Sequence, residues 1–214
     1  MKYKFIAVEG AIGVGKTHLT QMLGQHYGAR VVLDDQSNNP FLENFYAQPE
    51  RFAFQCQVFS LFQRYHQLQV LQQYDLFQQI VICDYVFARE KLYAAVTLNE
   101  SELALYSKIH DLLSGRVPRP DLVIMLQMPW NLLLKRLKKL EKEEDFSYNR
   151  KFVQTVFQAY STFFYHYNAS PLIVLNLEKD ISTFSQEDIA GIIRHIELMK
   201  GGRTYVTTVS SPGS

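Results

Sequence analysis

Two rhythms of apolar residues alternate along the chain. Phe5-Ile6-Ala7-Val8 is a short continuous apolar run, and a similar run spans Arg30 to Leu33. Others lie in Phe77 to Cys83, Asp121 to Met128 and Pro171 to Leu177. Runs this short, closed by Gly, Asp or Pro, predict fully buried strands. Between them the apolar positions recur every three or four residues, the period of an amphipathic helix. Leu19, Met22, Leu23 and Tyr27 follow the first run in this way. A short helix is predicted from Pro40 through Phe45. A long one runs from about Pro49 to Tyr74, with Phe52, Phe59, Phe62, Val70 and Leu71 separated by glutamines. Further helices are predicted near Val86 to Val96, Glu100 to Ser114, from Pro129 to Lys142, Tyr148 to Tyr167 and Gln186 to Met199. Gly201-Gly202 and Ser210-Ser211-Pro212-Gly213-Ser214 mark the last fifteen or so residues as a mobile tail.

Five strands alternating with helices predict an α/β fold, a five-stranded parallel sheet flanked by helices on both faces. The expected organisation is one domain over residues 1–200 and a tail over 201–214. Parallel sheets bind ligands beyond the carboxyl ends of their strands. Gly10, Asp34, Asp84 and Pro129 each follow a predicted strand, so they are expected at one edge.

Composition adds few constraints. The chain has 214 residues, enough for a full core, and a formal net charge of +1. That balance gives no reason to expect a nucleic-acid or membrane partner. Cys56 and Cys83 sit in apolar surroundings and read as buried thiols of a reducing compartment. No signal peptide or membrane-length apolar run is evident, which points to the cytoplasm. The six histidines have no ligand spacing.

The first strand empties into Gly10-Ala11-Ile12-Gly13-Val14-Gly15-Lys16-Thr17, which fits G-x-x-x-x-G-K-[ST]. Glycines let such a loop turn several N–H groups toward an anion. The following helix adds the partial positive charge of its N-terminus. Lys16 supplies a charge for the outer phosphates, and Thr17 a hydroxyl for Mg²⁺. Strand, loop and helix in that order predict a site for a nucleoside triphosphate.

Transfer of its terminal phosphoryl group to a hydroxyl needs a positioned acceptor and a proton acceptor. Asp34 and Asp35 are candidates for the base, though taken alone they read equally well as solvated loop charges. Asp84 stands where a Mg²⁺-organising carboxylate belongs, or caps the helix after it. Arg136, Lys138, Lys139 and Lys142 form a basic segment that could close on phosphate, or a solvated helical face paired with Glu141, Glu143 and Glu144. Gln57 and Arg64 are seven apart on the long helix and share a face. Gln57 could bond a planar base, or simply face solvent.

These residues together resemble the deoxynucleoside kinases, and in particular their bacterial branch. The resemblance rests on the phosphate loop, Asn39-Pro40-Phe41, Phe45-Tyr46, Pro49-Glu50-Arg51-Phe52-Ala53-Phe54-Gln55-Cys56-Gln57 and Cys83-Asp84-Tyr85, and spans roughly residues 3 to 197. It implies transfer of the ATP γ-phosphate to the 5′-hydroxyl of a deoxynucleoside, with Mg²⁺, in a homodimer. It also implies roles for individual residues: Asp34 as base, Gln57 and Arg64 at the nucleobase, and Tyr46 at the sugar 3′-hydroxyl with Asp145 as its partner. Asp84 begins the family's acidic motif. Arg89, five residues on, stands in for the arginine that Tyr85 replaces. A purine preference follows from the branch and from no single residue.

Two further departures stand out. The base is aspartate where the family has glutamate, shorter by one methylene, ~1.5 Å. The lid pattern R-x-x-x-R-G-R reads Arg136-Leu137-Lys138-Lys139-Leu140-Glu141-Lys142, without its central Arg-Gly. Lysine lacks arginine's planar fork for phosphate. These departures make a nucleotide-binding subunit without turnover one rival expectation, and Arg64 and Arg89, which could meet an acceptor phosphate, keep a nucleoside monophosphate kinase as another.

Overall fold

The computed structural model describes residues 2–73, 79–144 and 149–208. Its centre is a parallel sheet of six strands: β1 (Phe5–Gly10), β2 (Arg30–Val32), β3 (Val81–Cys83), β4 (Leu122–Gln127), β5 (Leu172–Leu177) and β6 (Arg203–Thr208). They lie in the order β2-β3-β1-β4-β5-β6. Strand β1 sits in the middle, with Ile6 registered on Ile82 of β3 and on Leu122 of β4.

The sixth strand corrects the expectation of five strands and a tail from residue 201. Arg203–Thr208 pairs with β5 at every position from Leu172 to Leu177. Thr204, Val206, Thr207 and Thr208 are β-branched, and such residues suit a pleated surface. Gly201 and Gly202 carry positive φ and form the turn into the strand. Residues 209–214 lie outside the described residues.

Helices cover both faces. They are α1 (Lys16–Tyr27), α2 (Leu42–Ala47), α3 (Pro49–Gln73), α4 (Glu90–Thr97), α5 (Glu100–Ser114), α6 (Trp130–Glu144), α7 (Arg150–His166) and α8 (Gln186–Leu198). Side chains alternate across the strands. Phe5, Val81 and Cys83 pack with Leu61, Leu68, Leu71 and Tyr106 of α3 and α5. Ile6 and Ile82 pack with Leu19 and Leu23 of α1, Leu133 and Leu137 of α6, and Val156 and Tyr160 of α7. Cys56 and Cys83 are buried free thiols, as expected.

Local differences from the expected elements have physical causes. The helix expected from Val86 begins as a 3-10 turn over Phe87–Arg89 before α4 starts at Glu90. The helix expected from Tyr148 starts at Arg150, capped by the Asn149 side chain, which accepts the Phe152 N–H. Phe62, expected on the apolar face of α3, is exposed, while Leu61 beside it is fully buried. No described helix is long and apolar enough to cross a membrane.

Because all the strands are parallel, the segments after β1, β2, β3, β4 and β5 emerge at one edge. That edge carries the phosphate loop, Asp34, Asp84, the start of α6 and the Asp180 turn.

Candidate active site

The loop after β1 is built on backbone geometry that only glycine adopts readily. Gly13 and Gly15 have φ of 78° and 104°. A Cβ at Gly13 would lie 2.5 Å from Leu137 Cδ2, and one at Gly15 2.2 Å from Ile181 Cγ2. The loop is therefore wedged beneath α6 and the turn Ile181–Thr183, and α1 starts directly from it. Lys16 folds back so that Nζ donates to the Gly10 and Ala11 carbonyls at 3.0 and 3.2 Å. Burial and the nearby Arg89 push its ammonium pKa down.

Asp84, directly after β3, joins two parts of the edge. Its Oδ2 accepts the Thr17 hydroxyl at 2.8 Å, and its Oδ1 accepts the Asp34 N–H at 2.7 Å. A hydroxyl and a carboxylate side by side at the phosphate loop are hard oxygen ligands. They suit Mg²⁺, which binds through one or two protein oxygens and completes its shell with water and substrate phosphates. No larger cluster of His, Cys, Asp and Glu able to hold a metal occurs among the described residues.

Asp34 sits at the centre of a cluster of ions. Arg64 meets its carboxylate with two parallel bonds, Nε to Oδ1 at 3.0 Å and Nη2 to Oδ2 at 2.9 Å. Arg89 Nη2 donates to Oδ2, and Gln36 Nε2 donates to Oδ1 at 2.8 Å. Burial alone would raise the Asp34 carboxyl pKa. The two guanidiniums outweigh it and hold the group well below the usual carboxylate range. Asp35, the other candidate base, is exposed and closes a turn by accepting the Ser37 N–H at 2.8 Å. The geometry separates two residues that loop chemistry alone left equivalent and between which only the resemblance chose.

Two further acids complete the cluster, and neither was singled out from the sequence. Glu9 is fully buried. Its Oε1 accepts the Val86 N–H at 2.7 Å, and its Oε2 accepts the Gly10 N–H and the Tyr160 hydroxyl, each at 3.1 Å. Glu90 is also fully buried and pairs with Arg64 Nη1 at 2.7 Å. Arg89 Nε lies 3.8 Å from Glu9 and 3.6 Å from Glu90. With Asp84, the carboxylates of Glu9, Asp34 and Glu90 thus face the cations of Lys16, Arg64 and Arg89, four acids to three bases. A glutamate inside an apolar strand was the available signal for Glu9. Glu90 looks in sequence like an ordinary first-turn acid.

Beside Asp34 opens a cavity of about 170 Å³, lined among others by Ile12, Tyr46, Gln57, Arg89 and Phe152. Gln57 is buried, so its solvent-facing reading is excluded. Tyr46 is half-exposed at the rim. Asn39 Nδ2 donates to Ser60 Oγ at 3.0 Å, and Ser60 Oγ donates to Gln36 Oε1 at 2.8 Å, so a hydrogen-bonded chain links the cavity wall to Asp34.

The remaining expected residues divide. Arg136 is brought to the site: its Nε donates to Gly13 O at 2.7 Å and its guanidinium pairs with Asp180. Lys142 is exposed in the last turn of α6. Asp145 lies outside the described residues.

Comparisons with known proteins bear on the family and the fold. The family model described as deoxynucleoside kinase matches residues 6–199. The chain is 32% identical over 201 residues to deoxyguanosine kinase of Bacillus subtilis, covering 90% of this chain and 96% of that protein. It is 24% identical over 202 residues to deoxyadenosine/deoxycytidine kinase of the same organism, covering 91% and 92%. In fold it is similar to deoxyadenosine kinase from M. mycoides solved with bound dATP, with a TM-score of 0.75 and 19% identity over 91% of this chain and 99% of that one.

Proposed function

The chain belongs to the deoxynucleoside kinase family, and from that premise we propose how its site carries out the reaction. The enzyme transfers the γ-phosphoryl group of ATP to the 5′-hydroxyl of a deoxynucleoside. The observation that carries the site assignment is the position of Asp34. It stands between the phosphate loop and the cavity holding Gln57, within one carboxylate, Asp84, of Thr17.

The loop from Gly10 through Ala11, Ile12, Gly13, Val14 and Gly15 to Lys16 and Thr17 wraps the triphosphate with its N–H groups. Lys16 leaves its two loop carbonyls for the outer phosphates. Mg²⁺, held by Thr17 and Asp84, would supply charge neutralisation there. Gln57 offers an amide donor and acceptor to the edge of the nucleobase. Tyr46 reaches the sugar from the rim. Arg64, the residue expected to frame the base, lines the cavity and spends its guanidinium on Asp34 and Glu90.

Asp34 orients the 5′-hydroxyl and accepts its proton. With both arginines on it, the carboxylate is a weak base. Arg89 turning from Asp34 toward the transferred phosphoryl group relieves half of that clamp as negative charge builds on the phosphate. The pKa of the base then rises when its proton arrives. Arg136 and Lys142 add positive charge from the α6 side.

A purine deoxynucleoside is the preferred acceptor in this reading, in line with the name of the deoxyguanosine kinase of B. subtilis. The enzyme works in the cytoplasm as a homodimer. Exposed Phe62 on α3 and Leu105 and Leu112 on α5 offer the apolar face for it. Residues 1–208 form the working unit, which extends past the boundary expected at residue 200.

The test is monophosphate formation from Mg²⁺-ATP and each of the four deoxynucleosides, with Asp34→Asn in parallel. Turnover on purine deoxynucleosides that is lost in Asp34→Asn is expected. ATP binding without any turnover would leave a nucleotide-binding subunit. Turnover of dAMP in place of deoxyadenosine would make the protein a monophosphate kinase.

A further inference from the structure

We propose that Tyr85 and Gln67 are positioning residues that fix where the Asp34 carboxylate stands. The inference rests on Asp34 being the base. Its basis is the Leu33–Asp34 peptide group, which is held at both ends. Its N–H is bound by Asp84 Oδ1 at 2.7 Å, and its carbonyl accepts Gln67 Nε2 at 3.0 Å. The Gln67 amide is fixed in turn by the Tyr85 hydroxyl, which donates to Oε1 at 2.6 Å. The adjacent residues Asp84 and Tyr85 therefore grip one peptide from its two sides, directly and through Gln67.

Tyr85 also acts on the side chain of Asp34. Its ring is fully buried, and the guanidinium carbons of Arg64 and Arg89 lie 5.7 and 5.5 Å from its centroid. Both cations rest on this platform while they bond the Asp34 carboxylate. One phenol thus touches both the hold on the Asp34 backbone, through Gln67, and the two arginines on its side chain.

The length of the base explains why such a device is needed. A glutamate has one more rotatable bond than aspartate with which to aim its carboxylate. With aspartate, the peptide plane largely sets the reach. Gln67 and Tyr85 fix that plane at a site where misplacement by about 1 Å can cost ~100-fold in rate. Gln63, one turn earlier on α3, extends the hold by donating to Asp35 O at 2.8 Å.

The experiment compares steady-state kinetics of the wild type, Tyr85→Phe, Gln67→Leu, the double variant and Asp34→Asn, with thermal midpoints alongside. Tyr85→Phe keeps the ring and removes only the hydroxyl. Each single variant is expected to lower kcat about 10-fold while KM for the nucleoside changes less than threefold. The double variant is expected to match the singles, because both break one chain of bonds. A purely structural role would lower the thermal midpoint and leave kcat of the folded enzyme intact. Single variants within about twofold of wild-type kcat, or a double variant with multiplied losses, would overturn the inference while Asp34→Asn remained inactive. Full kcat in Asp34→Asn would instead overturn the base assignment beneath it.

Discussion

Asp84 Oδ1 accepts the backbone N–H of Asp34 at 2.7 Å, so the residue after β3 sets the candidate base directly. Its other oxygen holds the Thr17 hydroxyl at 2.8 Å. One carboxylate therefore registers the acceptor side of the site against the phosphate side. In Asp84→Asn a single amide oxygen replaces two carboxylate oxygens, and the charge is lost. The kcat is expected to fall by about 100-fold, the loss typical of removing one preorganised electrostatic group. The Mg²⁺ concentration needed for half-maximal rate should rise with it. A Mg²⁺ titration of the two enzymes checks this, and an unchanged midpoint would remove Asp84 from the metal site.

The clamp on Asp34 has a consequence for stability against pH. Burial opposes the shift, but Arg89 and Arg64 hold the carboxyl below its ordinary value. A carboxyl lowered in the folded state stabilises the protein fully above its unfolded pKa, about 3.9. That contribution is lost as pH falls through the folded value. The difference in unfolding free energy between wild type and Asp34→Asn should hence stay constant from about pH 5 to 8 and narrow only below about pH 4. Urea unfolding across that range measures it. A wild type that instead gains stability relative to Asp34→Asn as pH falls from about 6 to 4, the mark of a carboxyl raised by burial, would show that the arginines do not hold the carboxylate in solution.

What the sequence revealed and what it hid follow from the range of the forces involved. The phosphate loop is legible because its geometry is local: Gly13 and Gly15 need positive φ, and Lys16 and Thr17 follow at fixed offsets. The positions of Asp34 and Asp84 at one edge follow from parallel topology alone. The residues' own chemistry did not choose between Asp34 and Asp35, and the family resemblance alone named Asp34, because Arg64 and Arg89 come from 30 and 55 residues away. Glu90 carried no signal at all, since its burial depends on how α3, α4 and α5 pack. The glutamines of α3 looked like a polar face, yet Gln63 and Gln67 bond the chain leaving the short edge strand β2.

Arg136 connects the phosphate loop to the turn after β5. It donates to Gly13 O at 2.7 Å and pairs with Asp180. Asp180 also caps its own turn, accepting the Ser182 N–H at 2.8 Å. The expected lid arginine thus braces the loop from the side of α6. Asp180→Ala should raise KM for ATP about fivefold to tenfold, the size of a lost charge-assisted hydrogen bond. KM for the nucleoside should stay unchanged, because Tyr46 and Gln57 lie on the other side of the loop. Initial-rate measurements with each substrate varied in turn give both values. Equal rises in both would mean that the whole edge has loosened, not the donor side alone.

The last strand yields the prediction on which the sequence and the structure differ most. A mobile tail could be removed at residue 202 without cost. Strand β6 instead pairs with β5 along its full length and buries Val206. Arg203 also reaches the end of α7, where one guanidinium nitrogen donates to the Phe164 and Tyr167 carbonyls at 2.9 and 2.8 Å. Carbonyls at a helix end lack partners within the helix, and a cation suits the negative end of its dipole. Ending the chain at residue 202 removes the ladder, the buried valine and the cap together, a loss of about 3 kcal/mol or more. At about 2–4 °C per kcal/mol for a chain of this size, the thermal midpoint should drop by roughly 6–12 °C. The bared edge of β5 should also make the truncated protein aggregate. Arg203→Ala isolates the cap and should cost only about 1 kcal/mol. A truncated chain that melts with the full-length protein would show that residues 203–208 are dispensable to the sheet.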